Sequence, residues 1–167
     1  MNKRTGFLAL LLTAMTSYTQ TPALPAAMHS YDFVVGRWQC HGVTPAGKVD
    51  YTFRQEVERP SDSHWFRFRT VSDKGSGMAF MTYEPKAHLW RYFYFDDSGP
   101  YSMGTAPDFI DNKQTWRGYT YNHGVRKSWG RVIVKKISDR ERRGDFYEPL
   151  KSGKYRLVVS DICTKLQ

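Results

Sequence analysis

Residues 49–57 read VDYTFRQEV, and this stretch decides the fold class. Val49, Tyr51, Phe53 and Val57 fall on one side of an extended chain, and Asp50, Thr52, Arg54 and Glu56 on the other. Successive side chains of a strand leave opposite faces, so this period-two pattern is that of a half-buried antiparallel strand. Residues 64–71 (HWFRFRTV) repeat it, with Phe66 and Phe68 opposing Arg67 and Arg69. Residues 78–83 (MAFMTY) and 88–95 (HLWRYFYF) are apolar on both faces. Residues 115–121, 131–137, 144–147 and 155–163 complete the strand-like runs. Turn chemistry separates them: PAG at 45–47, PSD at 60–62, DKG at 73–75, EPK at 84–86, DDSG at 96–99 and KSG at 151–153. No stretch has the periodicity of a long amphipathic helix, and residues 31–36 (YDFVVG) read as one short turn before the first strand. About 8–10 short strands at this spacing form an up-and-down barrel or a sandwich. Residues 99–111 (GPYSMGTAPDFID) read as the longest irregular loop.

The chain has 167 residues, enough for one buried core. Its 10 Phe, 11 Tyr and 5 Trp exclude a disordered chain. Two cysteines exclude both a disulfide-framework miniprotein and a four-cysteine zinc module. The formal charge of +9 permits an acidic partner without identifying one.

Residues 1–27 have the order of a secretory signal peptide: Lys3 and Arg4, the apolar run GFLALLLTAM at 6–15, a polar stretch, then PALPAA at 22–27. The apolar run is about half the roughly twenty residues that cross a bilayer, and no later segment is long enough to do so. Cleavage is expected after Ala23, Ala26 or Ala27, leaving residues 28–167 as one domain, secreted or periplasmic. Removing Lys3 and Arg4 lowers the formal charge to +7. An oxidising compartment favours a disulfide between Cys40 and Cys163 over two free buried thiols.

Gly36-Arg37-Trp38, a Gly-x-Trp on the first strand of an all-antiparallel chain, resembles the opening of the calycin superfamily, which includes the lipocalins and fatty-acid-binding proteins. Residues 33–40 (FVVGRWQC) and 160–165 (SDICTK) are similar to the two ends of secreted bacterial lipocalin-like domains of unknown function. The resemblance implies a single antiparallel up-and-down calycin-like barrel of about 8–10 strands, in which the first and last strands pair. If Cys40 then faces Cys163, Trp38 faces Lys165. Calycins commonly set a cation over this tryptophan, the role implied for Lys165.

No catalytic signature stands out. Ser102 lacks the leading glycine of a nucleophile elbow, and there is no His-Glu-x-x-His, phosphate loop or calcium loop. His29, His41, His64, His88 and His123 show no metal-ligand spacing, so no metal site is expected. Nitrobindin-like calycins hold haem through a histidine near the chain end, but no histidine follows His123, so no cofactor is expected. Haem at His64, His88 or His123 is left open by geometry alone.

Lys135, Lys136, Arg140, Arg142 and Arg143 cluster around Asp139 and Glu141, either as a solvated hairpin tip or as a docking patch for an anionic surface. Export argues against nucleic acid. Small barrels hold one guest or fill themselves with side chains. The candidate ligand-binding residues are Phe66, Arg67, Phe68, Arg69, Arg91, Tyr92, Tyr94 and Trp116, aromatic walls with polar anchors suited to an apolar or amphipathic molecule. The expected role is non-catalytic ligand binding. The alternatives are a surface module using the basic cluster, or a barrel enzyme using His64 with Arg67 or Arg69.

Overall fold

The computed structural model describes residues 23–61 and 63–167. The leader expected over residues 1–27 therefore lies outside the described residues up to position 22. A 3₁₀ segment, Ala26–Val34, leads into β1 (Gly36–Val43), β2 (Val49–Glu58), β3 (Phe66–Ser72), β4 (Gly75–Glu84), β5 (Leu89–Asp96), β6 (Tyr101–Ala106), β7 (Lys113–Asn122), β8 (Val125–Ser128), β9 (Arg131–Lys136), β10 (Glu141–Pro149) and β11 (Tyr155–Lys165).

Each strand pairs antiparallel with its neighbour in sequence, except that β9 joins β7 directly and β8 forms a short side hairpin on β7. β6 pairs with β7 and β1 pairs with β11, so ten strands close into an up-and-down, calycin-like barrel. Closure leaves both edges of the seam paired, which removes the exposed hydrogen-bonding edge that an open sheet presents.

The seam has the expected register. Cys40 opposes Cys163 and the two are disulfide-bonded, while Trp38 opposes Lys165. The Lys165 ammonium lies 5.4 Å from the Trp38 ring centroid and donates to the Phe33 carbonyl at 3.3 Å. Gly36 makes this possible. Its φ is +126°, and a Cβ there would stand 2.7 Å from Cε of Lys165.

Alternation fixes the inward set. Trp38, Cys40, Val57, Phe66, Phe68, Ala79, Met81, Trp90, Ala106, Trp116, Val132 and Cys163 are all buried. The 3₁₀ segment closes one end of the barrel. Met28, Tyr31, Phe33 and Val34 join that core, and the Trp38 indole donates to the Val34 carbonyl at 2.7 Å.

Two readings of the sequence are corrected. Residues 101–106 are not loop but β6. Its inward residues are the small Ser102, Gly104 and Ala106, with the Trp129 ring against Gly104, while Tyr101 and Met103 point outward and are exposed. The hydrophobic pattern is inverted, and strand propensity built on buried aromatic or β-branched residues does not see it. Residues 141–143 are not a solvated tip but the start of β10, with Arg142 turned inward.

Candidate functional site

The barrel encloses a cavity of about 630 Å³. Tyr31 of the 3₁₀ segment lines it from the closed end, where a chain of hydrogen bonds fixes the floor. The Trp116 indole donates to the Tyr31 hydroxyl at 3.3 Å, Tyr31 donates to Gln114 Oε1, and Gln114 donates to the Pro107 carbonyl at 2.6 Å. The far rim includes Ser72 and the exposed Lys74, so the cavity reaches solvent there.

The walls are mostly apolar: Phe53, Phe68, Met81, Val132, Val134 and Phe146 face the space, with Tyr92 and Trp116 packed edge to face at 5.9 Å. Trp129, from the link between β8 and β9, folds into the barrel over Gly118 and Gly104. A Cβ on Gly118 would meet the indole at 2.8 Å and the Met103 carbonyl at 2.2 Å, so only glycine admits it. The Trp129 ring lies 6.2 Å from Tyr92 and its N–H donates to Thr120 Oγ1 at 2.9 Å.

One side of the cavity is polar. The Tyr51 hydroxyl donates to Asp161 Oδ1 at 2.6 Å. Arg142, two residues along the paired strand, donates to Gln55 Oε1 and lies 4.6 Å from the Trp38 ring centroid. Burial pushes Arg142 down to about 10, which leaves it charged at neutral pH. Burial also pushes Asp161 up to about 6, outweighing the Tyr51 hydrogen bond and the charge of Arg142. The Tyr92 hydroxyl is raised chiefly by burial.

The structure brings four of the candidate ligand-binding residues to the cavity: Phe68, Tyr92, Tyr94 and Trp116. Phe66 is fully buried beside Tyr31 and Trp90 in the core. Arg67, Arg69 and Arg91 do not reach the cavity. They alternate with inward Phe66, Phe68, Trp90 and Tyr92 and so leave the outer face, where Arg67 pairs with Glu58 and Arg91 with Glu84. The cation inside is Arg142. Its signal in the sequence was parity with Phe146, four residues on, since Arg142, Gly144 and Phe146 share one face. Gln55 likewise shares the face of Tyr51 and Phe53.

The basic cluster is largely paired. Lys135 and Arg143 each approach Asp145 at 2.6 Å, and Lys136 approaches Asp139 at 2.7 Å. Among the described residues no histidine lines the cavity. Among the described residues no group of three or more His, Cys, Asp or Glu is placed to hold a metal ion. None of the described helices is long and apolar enough to cross a membrane.

The outer face of β4 to β7 carries two cross-strand rows. Phe80, Phe93, Met103 and Tyr119 form one, and Met78, Phe95, Tyr101 and Tyr121 the other. Trp65 lies 6.5 Å from Phe80 and 6.4 Å from Phe93. Arg67 and Arg69 flank the rows through their pairing with Phe80 and Met78, and Arg126 stacks on Tyr119 at 4.2 Å.

Compared with known proteins, the chain matches no family model and no curated protein.

Proposed function

We propose that the protein is an exported, non-catalytic binder of one small amphipathic molecule, comparable in role to secreted lipocalin-like domains. The observation that carries this reading is the cavity itself. Its volume of about 630 Å³ falls within the roughly 300–1,000 Å³ of small-molecule sites. Aromatic and aliphatic side chains dominate its wall and a few polar groups converge on one side, the combination that accepts an apolar body and orients a polar end. The disulfide fits an oxidising compartment. Leu24 and Ala27 pack against the core, which favours cleavage after Ala23 over cleavage after Ala27. Native mass spectrometry of protein purified from its exporting host tests the reading. A bound small molecule released on denaturation is expected, and a bare polypeptide that also fails to bind any apolar probe would count against it.

A second reading has its own observation. The outer aromatic rows with their flanking arginines suit an anionic surface, where aromatic rings seat at an interface and cations meet headgroups. Sedimentation with vesicles of anionic phospholipid, but not with neutral ones, is the expected result. Equal sedimentation with both, or with neither, removes this reading.

A further inference from the structure

We propose that the cavity selects a guest with one carboxylate head, seated on Arg142, and an apolar body running toward the rim. This rests on the ligand-binding reading above and specifies its chemistry.

Arg142 is a cation held inside the barrel without a direct ion pair; the Asp161 carboxylate, bonded to Tyr51, acts on it only through space. Among the described residues no carboxylate lies within ion-pair distance of it, and its one side-chain hydrogen bond goes to the neutral Gln55. Its Nε is buried with no hydrogen-bond partner. Two other arginines share that feature but differ in setting. Arg59 pairs with Asp32, and Arg131 stacks on Tyr147 and Tyr155; neither lines the cavity. Arg142 alone of the three faces the space a guest would occupy.

Burying an unpaired cation is costly, and a matched anion offsets the cost. The guanidinium fork fits a carboxylate through two parallel N–H···O bonds, and Arg142 commits only one of its donors, Nη2 to Gln55. The surroundings limit the charge of the head. Among the described residues Arg142 is the one cation in the inner part of the cavity, since Lys74 is out at the rim and Arg143 is bonded to Asp145 and Ser160. Asp161 lines the same cavity and repels a dianion more strongly than a monoanion. A singly charged carboxylate meets both conditions better than a phosphate monoester, which carries more than one charge at neutral pH.

The body of the guest follows from where Arg142 sits. It lies beside Trp38 near the closed end, and Phe146 lies four residues farther along β10 toward the rim. Four residues of strand span roughly 13 Å. Along that length run Phe68, Met81, Val132 and Val134. The head therefore enters first and the tail points outward.

The test is a calorimetric titration of the disulfide-bonded protein with dodecanoate, 1-dodecanol and dodecyl phosphate. Wild-type protein is expected to bind dodecanoate at least about tenfold more tightly than either other probe, as a charge-assisted pair requires. Arg142→Met is expected to lose that preference while still binding dodecanol, which also shows that the variant is folded. Arg142→Lys keeps the charge without the fork and is expected to retain part of the preference. Equal binding of acid and alcohol by wild type, or an unchanged preference in Arg142→Met, overturns the assignment of the head while leaving the cavity reading intact. Tighter binding of dodecyl phosphate than of dodecanoate overturns the choice of carboxylate. Failure of all three probes to bind wild type overturns the cavity reading itself.

Discussion

Lys165, at the end of the last strand, lays its stem across Gly36 and brings its ammonium 5.4 Å from the ring of Trp38 on the first strand. The same ammonium bonds the Phe33 carbonyl, so one side chain joins the seam of the barrel to the segment that closes its end. Gly36→Ala is expected to break this arrangement twice, by straining a backbone at φ +126° and by pushing Cβ into Lys165. A loss of about 1–3 kcal/mol is expected in a denaturant titration. A loss near zero would mean that Lys165 is not held by the seam.

The disulfide ties β1 to β11 across 123 residues. Linking positions so far apart in sequence restricts the unfolded chain and stabilises the fold by about 4–5 kcal/mol as an upper figure. Reduction is expected to lower the denaturation midpoint substantially without opening the barrel under mild conditions. Midpoints measured with and without reductant check this, and coincident curves would show that the seam hydrogen bonds alone close the sheet.

Asp161 gives stability a pH dependence of unusual sign. Its carboxyl is raised to about 6 in the fold by burial, with Tyr51, Arg142 and Tyr92 facing it, against an ordinary value near 3.8. The folded state therefore binds this proton more tightly than the unfolded chain. The resulting stabilisation is complete below about pH 4 and is lost as pH rises through about 6. It amounts to about 2–3 kcal/mol. Asp145 acts oppositely. Burial raises it, but its bonds to Lys135, Ser160 and Arg143 outweigh this and hold it below the ordinary range. Asp161→Asn keeps an acceptor for Tyr51 and is expected to be more stable than wild type above pH 6, with the difference vanishing near pH 4. A constant difference across that range would contradict the account.

Arg69 separates the inside of the barrel from its outside. It faces solvent next to Glu56 and Met78, on the strand face opposite Phe68. Arg69→Gln is expected to leave binding of an apolar probe unchanged and to weaken any association with anionic vesicles. Parallel probe titrations and vesicle sedimentation check both arms, and a loss of probe binding would place Arg69 in the site after all.

Much of this architecture was legible in residues 49–57 and in the parity of Cys40, Trp38, Cys163 and Lys165. Alternation alone assigned Phe66 and Phe68 to one side and Arg67 and Arg69 to the other. What it left open was which face is inside, because a strand rich in both aromatics and arginines supports two assignments until its neighbours are known. β6 was hidden for a related reason. Its inner face holds Ser102, Gly104 and Ala106, of which Gly104 makes room for Trp129, and its larger side chains lie outside. Arg142 was hidden by its company, since a run of charged residues reads as solvated surface. The backbone separates Arg142 from Arg143 by a half-turn of strand geometry, sending one into the cavity and the other to Asp145. Trp129 lay in a short link with no periodicity to assign it.

The central claim is that a guest occupies the space inside the barrel. Val134 faces that space from β9, and a larger side chain there narrows it. Titration of wild type and Val134→Trp with a fluorescent amphipathic anion such as anilinonaphthalene sulfonate tests the claim directly. Saturable binding at one site in wild type, clearly weakened in a Val134→Trp protein that keeps its β-sheet circular dichroism, is the predicted result. Equal binding by the two proteins would contradict the claim and move the ligand to the outer face.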